Sequence, residues 1–160
     1  MPLFETVARN DGRWIQGCNN LEYILLGKIQ EIVTGGLWSN GEFAGITNLK
    51  VVDLGDNLNN ISNLPFKECS NVKAIIIRNT DVIPTVSEYE NNLYTFESRF
   101  GNNNVKFFVS DNLLNDYKNS SDWNEMVDKL YPLSEFNLSD YIDFDIPEVE
   151  DLYNNLNAGS

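Results

Sequence analysis

One phrase recurs four times along this chain: Asn, an aliphatic residue, Lys or Glu, and then a run of alternating apolar residues. The copies are Asn20-Leu21-Glu22-Tyr23-Ile24-Leu25-Leu26, Asn48-Leu49-Lys50-Val51-Val52-Asp53-Leu54, Asn71-Val72-Lys73-Ala74-Ile75-Ile76-Ile77 and Asn104-Val105-Lys106-Phe107-Phe108-Val109. An aromatic residue precedes each at a nearly constant distance: Trp14 seven residues before Leu21, Phe43 and Phe66 six before Leu49 and Val72, Phe100 five before Val105. A unit this short cannot bury its own apolar face, so the copies must stack and share one continuous core. At 160 residues the chain is long enough for one such core without metal or disulfide support.

Each run is β-branched and apolar and is bounded by Gly, Asn and Asp, which reads as a strand rather than a helix. Counted from the aliphatic anchor, the first, fourth and sixth positions point inward: Leu21, Ile24 and Leu26; Leu49, Val52 and Leu54; Val72, Ile75 and Ile77. Trp14, Phe43, Phe66 and Phe100 close that core from the opposite side. Cys18 and Cys69 stand three residues before the anchors Leu21 and Val72, and Ile46 holds the same place before Leu49. The thiols therefore read as buried, reduced packing residues, and a rung carrying isoleucine separates them, which argues against a disulfide. Asparagine makes up 24 of the 160 residues, and its tolerance of turn geometry suits closely spaced turns.

The phrases Ile15-Gln16-Gly17-Cys18-Asn19-Asn20-Leu21 and Phe66-Lys67-Glu68-Cys69-Ser70-Asn71-Val72 resemble the BspA-like leucine-rich repeat, whose consensus runs aromatic, two residues, Cys, two residues, Leu. The segment from Phe107 to Lys118, followed by Trp123, looks like the capping end of such arrays. Intervals between anchors are 28, 23 and 33 residues, so the middle one falls in the leucine-rich-repeat range and the outer two carry insertions. The resemblance spans residues 14 to 136. It implies an α/β solenoid: a short leucine-rich-repeat-like stack of about four coils with short parallel strands, closed by a C-terminal helical cap. It further implies an interaction surface without catalytic residues, as found in bacterial surface proteins and bacteriophage products.

Past the fourth copy the period changes from two to that of a helix. Leu113, Leu114 and Tyr117 share a face, and after Asn119-Ser120-Ser121 a second helix is expected to run to about Leu130, with Trp123, Met126, Val127 and Leu130 inward. Asp122 and Glu125 form a capping box at its start. The predicted organisation is a repeat domain over 1–136 with its cap at 111–131, then an acidic tail over 137–160. Beyond Lys129 there is no basic residue and seven acidic ones, so the last 31 residues carry more than half of the net charge of −13.

That charge repels nucleic-acid phosphates, so binding to DNA or RNA is not expected. The absence of histidine removes Ser-His-Asp and Cys-His catalysis and His-ligated zinc. Asp53-Leu54-Gly55-Asp56-Asn57 lacks the later oxygen ligands of a calcium loop, Asp140, Asp143 and Asp145 match no loop spacing, and Thr34-Gly35-Gly36 is not followed by a phosphate-binding Lys. No cofactor or metal is expected. No apolar run is long enough to span a bilayer, and the N-terminal stretch lacks signal-peptide regions, so the expectation is a cytoplasmic or virion-associated chain without membrane insertion.

The residues between the inward ones should be polar if the strands were half exposed. They are Tyr23, Leu25, Val51, Asp53, Ala74, Ile76, Phe107 and Val109, of which seven are apolar. Something must cover such a face: the chain's own tail, a second copy, or a partner protein. The expected partner-binding set is Tyr23, Leu25, Val51, Ile76, Phe107 and Val109, joined by Trp38 on a glycine-flanked insertion and by the tail residues Tyr141, Phe144 and Ile146. The expected function is a non-enzymatic protein-protein interaction or structural module, a component of a phage virion or other assembly, with a protein partner or a second copy of the chain as its mate. The alternative is an intracellular acidic inhibitor that occupies a basic nucleic-acid-binding site.

Overall fold

The apolar runs form strands where the repeat phrase puts them, and so do the stretches between the copies. In the computed structural model, which describes residues 6–9, 18–27, 29–34, 43–62, 66–87, 95–143 and 154–155, the strands in chain order are β1 (Thr6–Arg9), β2 (Tyr23–Leu25), β3 (Glu31–Thr34), β4 (Val51–Asp53), β5 (Asn60–Ser62), β6 (Ala74–Ile77), β7 (Thr85–Ser87), β8 (Lys106–Val109) and β9 (Leu130–Pro132). Two helices, α1 (Phe96–Phe100) and α2 (Leu114–Asn119), flank β8. The strands divide into a five-stranded sheet of order β2-β4-β6-β8-β9 and a four-stranded sheet of order β1-β3-β5-β7, and every pairing is parallel. From β1 to β7 the chain alternates strand by strand between the sheets. The repeat phrase predicts the first sheet only. The strands of the second lie in the variable stretches, where no recurring motif marks them.

The main core lies between the two sheets. Leu49, Val52, Leu54, Val72, Ile75 and Ile77 are all fully buried in it, and Leu21, Ile24 and Leu26 pack against its edge. Ile29, Leu58 and Ile61 close it from the other side. Phe43, Phe66 and Phe100 stack in sequence with ring centroids 5.1 and 6.4 Å apart, which is the aromatic wall expected opposite the strands. Trp14 and Trp38 lie outside the described residues. Cys69 is buried with its thiol donating to the Phe43 carbonyl, whereas Cys18 is exposed, contrary to expectation. Among the described residues β2, the strand that follows Cys18, is the end strand of its sheet, whereas Cys69 precedes β6, which has a neighbour on each side. Both thiols are free.

Two tight turns need glycine. At Gly55 (φ +76°) a Cβ would stand 2.1 Å from the Gly27 carbonyl oxygen, and at Gly101 (φ +90°) one would stand 2.2 Å from that of Cys69. Both positions combine left-handed backbone with the close approach of another chain segment.

The cap differs from the expected helical pair. Asp111–Leu113 is a 3-10 turn leading into α2, and Asn124–Lys129 is 3-10 throughout rather than α-helical. In a 3-10 turn residues three apart eclipse one another. Trp123 and Met126 therefore remain buried, while Val127 turns outward at 38% exposure. Asp122 does not cap this segment; its carboxylate accepts from the Val86 amide, and the Trp123 indole donates to the Pro84 carbonyl. These bonds tie the cap to the β7 end of the core. Leu130, expected as the last helical residue, instead opens β9 and pairs with Phe107.

Candidate functional site

The outer face of the five-stranded sheet is where the sequence places its binding residues. Parallel pairing aligns Tyr23, Val51, Ala74 and Lys106 in one row, and Leu25, Asp53, Ile76, Phe108 and Tyr131 in a second. Val51, Ala74 and Ile76 are fully buried and Phe108 is 3% exposed. Their cover is the chain's own segment after β9: Leu138 and Ile142 are buried on this face, and Leu133, Phe136 and Tyr141 pack beside them. Phe108 sits under three rings, with centroids 5.0 Å to Phe136, 5.8 Å to Tyr131 and 6.3 Å to Tyr141, and Phe136 stacks on Tyr141 at 5.7 Å. Burial, followed by the nearby Asp140 carboxylate, raises the Tyr141 hydroxyl above its ordinary pKa.

The covering segment is built from short turns. Leu133–Glu135 and Leu138–Asp140 are 3-10, Asn137 accepts from the Ser139 amide, and the Ile142 amide reaches back to the Leu138 carbonyl. Its start is anchored where the Ser134 amide donates to Asp111 Oδ1 at 3.0 Å. Ser134 holds the Asp111 carboxyl below its ordinary pKa through these hydrogen bonds. Packing thus continues beyond residue 136, with Leu138 and Ile142 buried.

Two members of the expected set are on the other side of the sheet. Phe107 and Val109 lie in the main core, and Phe108 occupies the outer face in their place. The cause is a missing residue. At the second and third copies two successive amides share one carbonyl: Lys50 and Val51 both donate to Glu22, and Lys73 and Ala74 both donate to Lys50. At the fourth copy Lys106 takes the Lys73 carbonyl and pairs directly with Ala74, so the strand starts one residue earlier after its anchor. A one-residue shift exchanges the two faces of a strand. Of the remaining expected residues, Tyr23 packs at the margin of the covered face and Leu25 is half-buried outside both clusters. Phe144 and Ile146 lie outside the described residues.

Asp53, the one polar residue expected on this face, is fully buried. Its carboxylate pairs with Arg78 at 2.8 and 2.9 Å and accepts from the Gly55 amide at 3.0 Å. Arg78 follows β6 directly and borders an open cleft of about 550 Å³ at the carboxyl ends of β6, β8 and β9. Ser110 to Asn112 and the turn from Leu133 to Phe136 form its other walls. Elsewhere Cys69 and Tyr117 are sequestered, whereas the Cys18 thiol is exposed. Burial is the main cause that pushes the Cys69 thiol up to about 11, and it also raises the Tyr117 hydroxyl inside the core. Among the described residues no group of His, Cys, Asp or Glu is arranged to hold a metal ion, and no helix is long and apolar enough to cross a membrane.

Comparisons with family models, with curated proteins and with solved structures find no match.

Proposed function

We propose that this chain is a non-enzymatic interaction or structural module, built as a short leucine-rich-repeat-like solenoid of the kind the BspA-like phrases resemble. The carrying observation is that neighbouring copies are joined by similar side-chain to backbone bonds. Asn48 donates its amide to the Asn19 carbonyl and Asn71 to that of Thr47 from matching positions, while in the fourth copy Asn102, two residues before the phrase's own Asn104, reaches the carbonyl of Ser70. The phenylalanine stack and the unbroken parallel pairing of β2, β4, β6 and β8 follow the same progression. An architecture of stacked coils uses its interior for packing and offers its surface for recognition. With the outer sheet face closed by residues 133–142, partners would be met on the remaining surface of the stack or by a second copy.

The test is affinity capture from native extract with the full chain, with bound partners quantified across a salt series. A specific partner retained at about 1 M salt, where screening shortens the Debye length to about 3 Å, supports the module. Binding that collapses between about 0.05 and 0.5 M salt, with a basic nucleic-acid-binding protein as the partner, supports the acidic decoy instead. Turnover of any substrate by the purified chain would overturn both readings.

A further inference from the structure

The cleft at the carboxyl ends of β6, β8 and β9 serves no purpose in the packing described above. Its walls come from residues that directly follow three adjacent parallel strands: Arg78 after β6, Ser110 after β8, and Leu133 and Ser134 after β9. In open α/β sheets ligands bind outside the carboxyl ends of the strands, and this cleft opens at the corresponding end of its sheet. The volume of about 550 Å³ falls within the roughly 300–1,000 Å³ of small-molecule sites.

The lining has a definite chemistry. Three planar polar side chains border the cleft, and each is held by a bond within the protein: Arg78 by Asp53, Asp111 by the Ser134 amide, and Asn112 by the Thr80 carbonyl at 2.9 Å. Groups fixed in advance lose little freedom when a ligand arrives. Between them they offer a guanidinium donor, a carboxylate acceptor and an amide, with the hydroxyls of Ser110 and Ser134 alongside. Phe136 and Leu133 add an apolar wall. A few fixed donors and acceptors beside an apolar wall suit a small ring with hydroxyls on its rim and C–H bonds on its face.

Charge argues against anionic ligands. The Arg78 cation is already balanced by buried Asp53, and Asp111 stays ionised because Ser134 holds its carboxyl below the ordinary range. The cleft is therefore electronegative within a chain of net charge −13, and an anion gains nothing there. We propose that this cleft binds a neutral sugar, as a mono- or disaccharide unit.

The experiment is amide-shift NMR on the full chain with a panel of neutral hexose, deoxyhexose and N-acetylhexosamine mono- and disaccharides, set against uronic-acid and amino-sugar counterparts. Concentrations up to about 10 mM detect affinities near 1 mM, about −4.1 kcal/mol. At least one neutral sugar is expected to shift the amides of Ser110, Asn112 and Ser134 with saturation. Ser134→Trp, which fills the cleft from an exposed position, should weaken that binding more than tenfold. Asn112→Ala, also exposed, should weaken it several-fold and gives a second reading should the tryptophan variant fail to fold. Silence across the neutral panel overturns the proposal, as does binding confined to acidic or amino sugars. So does undiminished binding by the folded Ser134→Trp or Asn112→Ala chain.

Discussion

Replacing Phe108 with alanine tests how the outer face is closed. The ring is 3% exposed and lies beneath Tyr131, Phe136 and Tyr141 at 5.0 to 6.3 Å between centroids. Truncating a buried Phe costs about 3–5 kcal/mol, including the cavity left behind. Three ring contacts, each worth about 0.5–1.5 kcal/mol beyond area, push toward the top of that range. Relaxation of the short 3-10 turns above the ring pushes toward the bottom, and we expect about 3 kcal/mol. Since a domain of this size is stable by roughly 5–15 kcal/mol, the variant should still fold but should unfold at markedly lower urea. The location of the damage is the sharper readout. Amide exchange should quicken across residues 133–142, while the indole N–H of Trp123, bonded to Pro84, should keep its resonance. Phe107→Ala is the internal control, because Phe107 meets Trp123 edge to face at 5.3 Å in the main core. There the indole resonance should move and the covering segment should stay protected. If Phe108→Ala costs under about 1 kcal/mol, or if the two variants exchange their signatures, the assignment of faces in the fourth copy is wrong.

Asp53→Ala should destabilise the fold by about 3–5 kcal/mol, because it strands a largely buried guanidinium; adding Arg78→Met should recover much of that loss in urea titrations, and a double variant no better than the single would refute the pairing argument. Thiol labelling of the native chain at pH 8 should modify Cys18 rapidly and Cys69 only on unfolding, since Cys69 is buried and its pKa of about 11 leaves almost no thiolate; two fast thiols would contradict the core. Gly55→Ala should destabilise the fold by more than the roughly 1 kcal/mol of a left-handed alanine, read from urea unfolding, because its Cβ would overlap the Gly27 carbonyl; a neutral result would contradict that close approach.

Periodicity and composition by themselves determined the scaffold of the first sheet. A phrase with apolar residues at the first, fourth and sixth positions counted from its anchor has one way to bury them, and Leu49, Val52, Leu54, Val72, Ile75 and Ile77 are buried as that demands. The aromatic wall of Phe43, Phe66 and Phe100 was legible because each ring stands at a nearly constant distance before its anchor. The greasiness of the intervening residues likewise required that the outer face be covered, and Tyr141 stands among the residues that cover it. The same chain also carried the clue to the fourth copy. Counting back from the first non-aliphatic residue after each run (Gly27, Gly55, Arg78, Ser110) aligns Val109 with Ile77 and Phe107 with Ile75, as the sheet pairs them.

Aligning on the asparagines hides this, because whether two amides share one carbonyl is settled by pairing with the strand before, not by the local sequence. The other decisions were also tertiary. Leu130-Tyr131-Pro132 has no strand period of its own and becomes β9 because the edge of β8 is open to it. Asn124–Lys129 has an α-helical pattern yet winds as 3-10, with Trp123 bonded to Pro84 at one end and Leu130 committed to the sheet at the other. Which occupant closed the outer face could not be read from either partner alone. Leu138 and Ile142 are unremarkable residues in an acidic tail until the turn at Leu133, held by Asp111, lays them over Ile76 and Phe108. Contacts between residues so far apart in sequence depend on the path of the chain in space, and local patterning carries no record of that path.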